Sequence, residues 1–173
     1  MNDELLDLVD EFDQVIGQKY RSEVYEKKLH NFRVINAFIA NDKGQLWIPL
    51  RSPHKKLFPS CLDVSVGGHV STGEDYMEAF EREAREELNL EVATLNFITI
   101  AKLFPHNSNV SAFMHVYIIN TNITPNYNRE DFVSAEWISI PEIQEKIKSG
   151  AKAKSDLPIL LNILKDYLIS NEF

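Results

Sequence analysis

Residues 68–90 read GHVSTGEDYMEAFEREAREELNL, and the way this stretch folds decides how the rest of the chain is read. From Asp75 to Leu88 the apolar residues Met77, Phe80, Ala84 and Leu88 recur at helical spacing. At about 100° per residue they fall within one arc, which predicts a helix with that arc against a core. Asn89 stands where a helix end takes a left-handed residue, usually Gly or Asn. Glu83, Glu86 and Glu87 are spaced i, i+3 and i+4, so they share a neighbouring face.

Three carboxylates on one turn repel each other, at roughly 0.2–0.5 kcal/mol per like-charged pair. A bare E-x-x-E-E is more often a solvated face than a site. When such a face is a site, it holds a cation. Hard oxygen ligands suit Mg²⁺, with Mn²⁺ as a substitute, rather than Zn²⁺, because neither a cysteine nor a histidine pair accompanies them. An ion held by few carboxylates keeps positions for water and phosphate oxygens. It can polarise a phosphoryl oxygen and activate a water.

The residues before the acids narrow the reading. Gly68 is followed after five residues by Glu74 and, after seven more, by Arg82-Glu83-Ala84-Arg85-Glu86-Glu87-Leu88-Asn89-Leu90. This resembles the Nudix box, G-x5-E-x7-R-E-U-x-E-E-x-G-U, where U is aliphatic. Gly68, Glu74, Arg82, Glu83, Glu86 and Glu87 match its fixed positions, and Ala84 and Leu90 fill the U positions. Chance agreement at six such positions has a probability on the order of 10⁻⁷ per starting point. Asn89 stands where the family has glycine, and Asn is the next-best residue for the left-handed conformation. The resemblance implies that Glu83, Glu86, Glu87 and the Gly68 carbonyl bind metal. One of the glutamates would also activate water. Arg82 would hold Glu83 and pair with Glu74, a structural role in the motif. The implied reaction is attack of an activated water on one phosphorus of a diphosphate, driven by positioning and charge neutralisation.

Outward from the helix, the chain reads as alternating strands and turns. Leu5 to Gln18 reads as a hairpin, and Ser22 is expected to cap a short helix running to about Leu29. Arg33 to Ala40 and Gln45 to Leu50, joined by Asn41-Asp42-Lys43-Gly44, read as a second hairpin. Ser52 to Ser60 is a loop, and Leu62 to Val66 a short strand ending at Gly67-Gly68. Val92 to Leu103, Ala112 to Ile119 and Ala135 to Ile138 follow as strands. Pro141 to Ser149 and Ser155 to Ser170 close the chain as helices. The expected fold class is α/β (α+β): a Nudix α/β/α sandwich on a mixed sheet, residues 31–173, with a short β-rich extension, residues 1–30, packed on it.

The resemblance extends to a Nudix subgroup related to type I isopentenyl-diphosphate isomerase. Leu8 to Glu11, Val15 to Gly17, Arg21, Leu46 to Ser52, Phe58-Pro59, Leu62 to Val70 and Glu136 to Ile138 carry it. An isomerase that moves a double bond by protonation is therefore a rival. That chemistry uses a cysteine just before the Gly-His pair, where this chain has Gly67. Cys61 is six residues away and is expected to pack as a small buried residue. His69 matches one isomerase histidine, Phe32 stands where another is expected, and His30 fits only with a two-residue shift. The complete acidic set favours hydrolysis. It also counts against a second rival, a catalytically silent nucleotide sensor, because binding alone does not need all three acids.

The chain has 173 residues and a formal net charge of −8, which suits one domain and argues against a nucleic-acid polymer as partner. A single cysteine fits a reducing compartment. No basic, apolar leader precedes the acidic first residues, and Leu157 to Ile169 is too short and too charged to span a bilayer. A cytoplasmic protein without a membrane partner is expected. The expected partner is a small nucleotide or another diphosphate, in the first place a nucleoside diphosphate or its derivative. Arg51, Lys55 and Lys56 are candidates for its phosphates, Arg51 by bidentate hydrogen bonds. Arg33 is a further candidate for the cleft, and Asp131, ahead of Glu130 in preference, for an extra metal ligand or base. The loop from Phe104 to Asn109 offers aromatic stacking for a base, while His106, His115, Trp47 and Trp137 read as packing residues.

Overall fold

The computed structural model describes residues 3–170. Its centre is a six-stranded sheet with strand order β6–β7–β3–β4–β8 and β5 added on β3. These strands are β3 (Arg33–Ala40), β4 (Gln45–Arg51), β5 (Val66–His69), β6 (Asn96–Leu103), β7 (Phe113–Asn120) and β8 (Phe132–Ser139). β3 and β7 run parallel and the other pairings are antiparallel, so the sheet is mixed as expected.

Period-two alternation gives the sheet two apolar faces. Ile35, Ala37 and Ile39 of β3, with Tyr117 and Ile119 of β7, pack against Ala79, Phe80, Ala84 and Leu88 of α2 (Tyr76–Leu88). Phe80 lies flat on Tyr117, with ring centroids 4.3 Å apart. Phe38, Val116 and Ile118 face the other way. They meet Ile143 of α4 (Ile140–Lys148) and Leu157, Leu160, Leu161 and Leu164 of α5 (Leu157–Ser170). A sheet covered on both faces by helices is the expected sandwich. No helix among the described residues is long and apolar enough to cross a membrane.

Three local expectations are corrected. β3 and β4 do not form an extended hairpin, since they pair only at Ala40 and Leu46 beside the turn. β4 instead runs along β8, from Gln45↔Ser139 to Arg51↔Phe132, and β5 takes the first half of the same edge of β3. Ser65 sits where the strands part, its hydroxyl donating to the Trp47 carbonyl and accepting from the Ile39 amide. Second, the strand expected over Leu62 to Val66 begins only at Val66 and continues through both glycines. Leu62 makes isolated bridges to Leu50 and Ala153. The glycines were read as a strand stop, yet here they answer a need for space. Third, Ser22 does not cap α1 (Arg21–Glu26): Glu23 reaches back to the Tyr20 amide, and Ser22 bonds Asp3.

The N-terminal strands β1 (Leu5–Val9) and β2 (Val15–Tyr20) form the predicted hairpin as a separate two-stranded sheet. It leans on the stretch before α2. Thr72 donates to the Leu5 carbonyl, Gly73 to Asp7, and Ser71 to Glu4. Leu6, Val24, Phe32 and Ala112 form the small core beneath it.

Candidate active site

The site lies where β3, β5 and the second half of α2 meet. Val34 and Asn36 of β3, Gly67, Gly68 and His69 of β5, and Glu83 and Glu87 of α2 line one cavity. The ends of α2 are set by local chemistry. The Asp75 side chain accepts from the Met77 and Glu78 amides, and Asn89 closes the helix at φ 53° and ψ 37° with its side chain on the Asn126 carbonyl. The Phe80–Ala84–Leu88 arc then fixes the rotation of the helix on the sheet, which turns Glu83 and Glu87 toward β5.

Gly68 is required by contact rather than by backbone conformation. A Cβ built on it would lie 2.0 Å from Cδ and Oε1 of Glu83. At Gly67 a Cβ would lie 3.0 Å from Val64 Cγ2, 3.2 Å from Lys154 Nζ and 3.3 Å from Asn36 Oδ1. The backbone of β5 is thus bare where the acids approach. The Gly67 amide donates to Glu87 Oε2 at 3.1 Å.

Arg82 organises the turn. It grips Glu74 through Nε and Nη2 at 2.7 and 3.0 Å, the His69 carbonyl at 2.9 Å and Glu83 at 2.8 Å. Glu86 is the outer member, 60% exposed and 3.4 Å from Arg82. Burial pushes the Glu83 carboxyl up to about 7 against the pull of Arg82, with Glu86 and Glu4 adding to the rise. Burial also raises Glu87 well above the usual carboxylate range, and the Glu83 and Asp63 charges raise it further. His69 is held neutral, lowered to about 3 by burial and by Arg21, Lys154 and Arg82. Its ring stacks on Phe32 and shares a hydrogen bond with the Tyr25 hydroxyl. Among the described residues no three His, Cys, Asp or Glu side chains form a metal-ligating cluster, and Arg82 bonds both Glu83 and Glu86. The donor set nevertheless fits a hard divalent ion: carboxylate oxygens, two of them on buried groups whose charge burial opposes more than Arg82 or the Gly67 amide offsets.

The outlying candidates fall differently. Lys55 lines the cavity and is paired with Asp131, whose charge also acts on Glu87. Arg51 lines it too, but its three nitrogens are engaged by Asp63 at 2.6 Å and by the Leu57 and Phe58 carbonyls. It shapes the loop after β4 instead of presenting a bidentate fork to phosphate. Arg33 does not reach the cavity. Val34 and Asn36 do, so alternation puts Arg33 on the opposite strand face, paired with Asp13 and lying over Tyr76. The expected loop after Phe104 contains a short helix, α3 (Pro105–Ser108), and Phe104 packs edge-on against Phe113, away from the cavity. His115 stacks on Tyr76, and Cys61 is buried.

Sequence reasoning missed Lys154, Asp63 and Asn36, and missed Glu4, Arg21 and Tyr25 of the N-terminal extension. No spacing pattern ties them to the box, and only the strand order brings them there. The one available signal was Asp63, an acid inside an otherwise apolar run.

The mixed sheet, the glycine-bared strand and the acid turn of α2 are the features of a Nudix fold. Residues 30–158 match the NUDIX domain family model. An uncharacterized Nudix hydrolase of Nostoc sp. is 51% identical over 154 residues, covering 89% of this chain and 91% of its own length. A Nudix hydrolase of Deinococcus radiodurans is 47% identical, covering 93% of this chain and 94% of its own. The crystal structure of DR0079 from Deinococcus radiodurans superposes with a TM-score of 0.87 at 46% identity, over 92% of this chain and 98% of that one. An isopentenyl-diphosphate Δ-isomerase of Photorhabdus laumondii is similar at 27% identity, over 83% of this chain and 84% of its own. The chain belongs to the Nudix hydrolase family.

Proposed function

We propose that this protein is a Mg²⁺-dependent hydrolase of the diphosphate linkage in a nucleoside diphosphate or a nucleoside diphosphate derivative, with Mn²⁺ able to replace Mg²⁺. One observation carries the metal reading. Glu83 and Glu87 are buried beside a strand bared by glycine, and their charges are opposed by burial and by neighbouring carboxylates, Glu86 and Glu4 for Glu83, Glu83 and Asp63 for Glu87. A divalent cation would reverse that local balance. Glu83, Glu86, Glu87 and the Gly68 carbonyl would hold it. Held there, it would supply Lewis acidity to a phosphoryl oxygen and to the attacking water.

The chain's own residues do the remaining work. Arg82, braced by Glu74 and the His69 carbonyl, fixes the rotamer of Glu83. One of the three glutamates accepts the proton of the attacking water. Lys55, steadied by Asp131, places positive charge at the cavity wall, where a phosphate oxygen would sit. Tyr25, Leu57 and Phe58 give the cavity an apolar side for the group carried on the diphosphate. The isomerase reading lacks its acid. Position 67 has no side chain, and a Cβ there would make Val64, Lys154 and Asn36 give way by a few tenths of an ångström.

The test is a phosphate-release screen over nucleoside diphosphates, triphosphates, sugar nucleotides and dinucleotides, with a coupled phosphatase to expose monophosphates. We expect hydrolysis that needs Mg²⁺ or Mn²⁺ and stops with EDTA. Silence across the panel with both ions present would refute the proposal.

A further inference from the structure

Four cationic side chains line the cavity, and they differ in how far their charge is already answered. Arg51 is fully engaged by Asp63 and two carbonyls. Lys55 is paired with Asp131, and Arg21 lies 4.0 Å from Glu4. Lys154 has one ion pair among the described residues, to Asp63 Oδ1 at 3.4 Å. That carboxylate already holds Arg51 through its other oxygen at 2.6 Å and bonds the Val64 amide through Oδ1. Asp63 is only 3% exposed at its side chain, so one buried negative charge serves two positive ones. The Lys154 ammonium therefore shares its carboxylate with Arg51 and keeps donors for a further partner at the cavity wall.

Lys154 is placed firmly. Residues 152–154 are zipped to Leu62, whose amide donates to the Lys152 carbonyl and whose carbonyl accepts from the Lys154 amide. The Lys154 carbonyl accepts the Leu157 amide at the start of α5. The side chain runs to the cavity beside β5, where Nζ takes the room that Gly67 leaves.

We propose that Lys154 is a substrate-binding residue, its ammonium contacting a phosphate oxygen of the diphosphate from beside Gly67. The inference rests on the hydrolase reading above for its substrate class. An ammonium suits this task as a compact point charge with three donors. Asp63 is then a positioning residue, holding Lys154 and Arg51 on either side of itself.

The experiment is isothermal titration of methylenediphosphonate, a non-hydrolysable diphosphate, in Mg²⁺ buffer. The proteins compared are the wild type, Lys154→Met and Lys154→Arg, each with a melting curve. Loss of one charge-assisted hydrogen bond predicts binding weaker by about 10- to 100-fold in Lys154→Met, with Lys154→Arg recovering most of it. Unchanged melting temperatures alongside that result support a contact to the ligand. Three results overturn the inference: no probe binding by the wild type, equal binding by Lys154→Met, or loss of binding in both variants together with lowered melting. A wild type that binds the probe in this pattern but hydrolyses nothing in the screen refutes the hydrolase reading alone.

Discussion

Gly68→Ala separates the chemistry of the site from the stability of the fold. The added Cβ would lie 2.0 Å from the Glu83 carboxyl, whereas carbon atoms rest at about 3.5–4.0 Å. The carboxylate must therefore move by roughly 1.5–2 Å. Strand backbone cannot yield as easily, because Gly68 is paired with Ile35 in the sheet. A shift of about 1 Å in a positioning group costs about 100-fold in rate, so turnover should fall by that factor or more. Stability should change little. With Arg82 beside it, Glu83 still titrates at about 7 against an ordinary 4.5, which at about 1.4 kcal/mol per pH unit sets about 3 kcal/mol against its charge in that place. Expulsion toward water at pH 8 releases up to that amount, and it offsets a repacking cost of about 1–3 kcal/mol. The melting temperature in EDTA should move by no more than about 6 °C. The assay is turnover with Mg²⁺ alongside thermal melting in EDTA, repeated in a Glu83→Ala background, where the clash is gone and Gly68→Ala should cost little further activity. Retained turnover in the single variant, or full additivity in the double variant, would refute the contact argument.

Other outcomes follow from the same geometry. Glu87→Gln should fold and lose turnover by about 100-fold or more, as judged by kcat with circular dichroism unchanged. Glu83→Gln should reveal the sign of the buried charge. A carboxyl whose pKa is raised by folding supports stability below its unfolded value and loses that support as pH rises from about 4.5 to about 7. The variant should therefore melt higher than wild type at pH 8 in EDTA, by up to about 3 kcal/mol, and the gap should close toward pH 5. Asn89→Ala should lower stability by about 1–2 kcal/mol in denaturant melts, because alanine resists the left-handed φ of 53° and cannot bond the Asn126 carbonyl.

The sequence made some parts of this molecule legible because their causes are local. α2 has a cap, a helical apolar period and a left-handed terminator within one short stretch, so both its ends and its buried arc could be read directly. The hairpin of the extension is also local. What could not be read depends on neighbours distant in the chain. Nothing within Arg33–Leu50 reveals that β4 leaves β3 for β8, because either edge satisfies the same alternation. The continuation of β5 through Gly67 and Gly68 is invisible until Glu83 is known to press on that backbone. Arg51 illustrates the same limit within the site. Its charge and position after β4 suited a phosphate contact, but Asp63 and two loop carbonyls engage its donors first. Lys154 has no local signature at all.

α2 reconciles two conflicting demands by assigning them to adjacent faces. Full burial of Phe80 and Leu88 contributes about 1.5–3 kcal/mol each, and the Asp75 cap adds about 1 kcal/mol. That is enough to hold the helix in place while the neighbouring face holds the Glu83 and Glu87 carboxyls where burial opposes their charge. The clamp from Arg82 to Glu74 prevents the simplest relief, rotation of Glu83 into water, because Glu74 is itself bonded to the Ser71 amide and the N-terminal hairpin is docked on Ser71 through Glu4. The strain therefore stays in the site, where the proposed divalent cation would relieve it. Binding should then stabilise the fold by more than coordination to flexible, exposed acids would, since each carboxyl held ionised by the metal no longer opposes folding. The extension takes part in this arrangement, bracing the loop that precedes the acid helix and contributing Glu4, Arg21 and Tyr25 to the cavity wall.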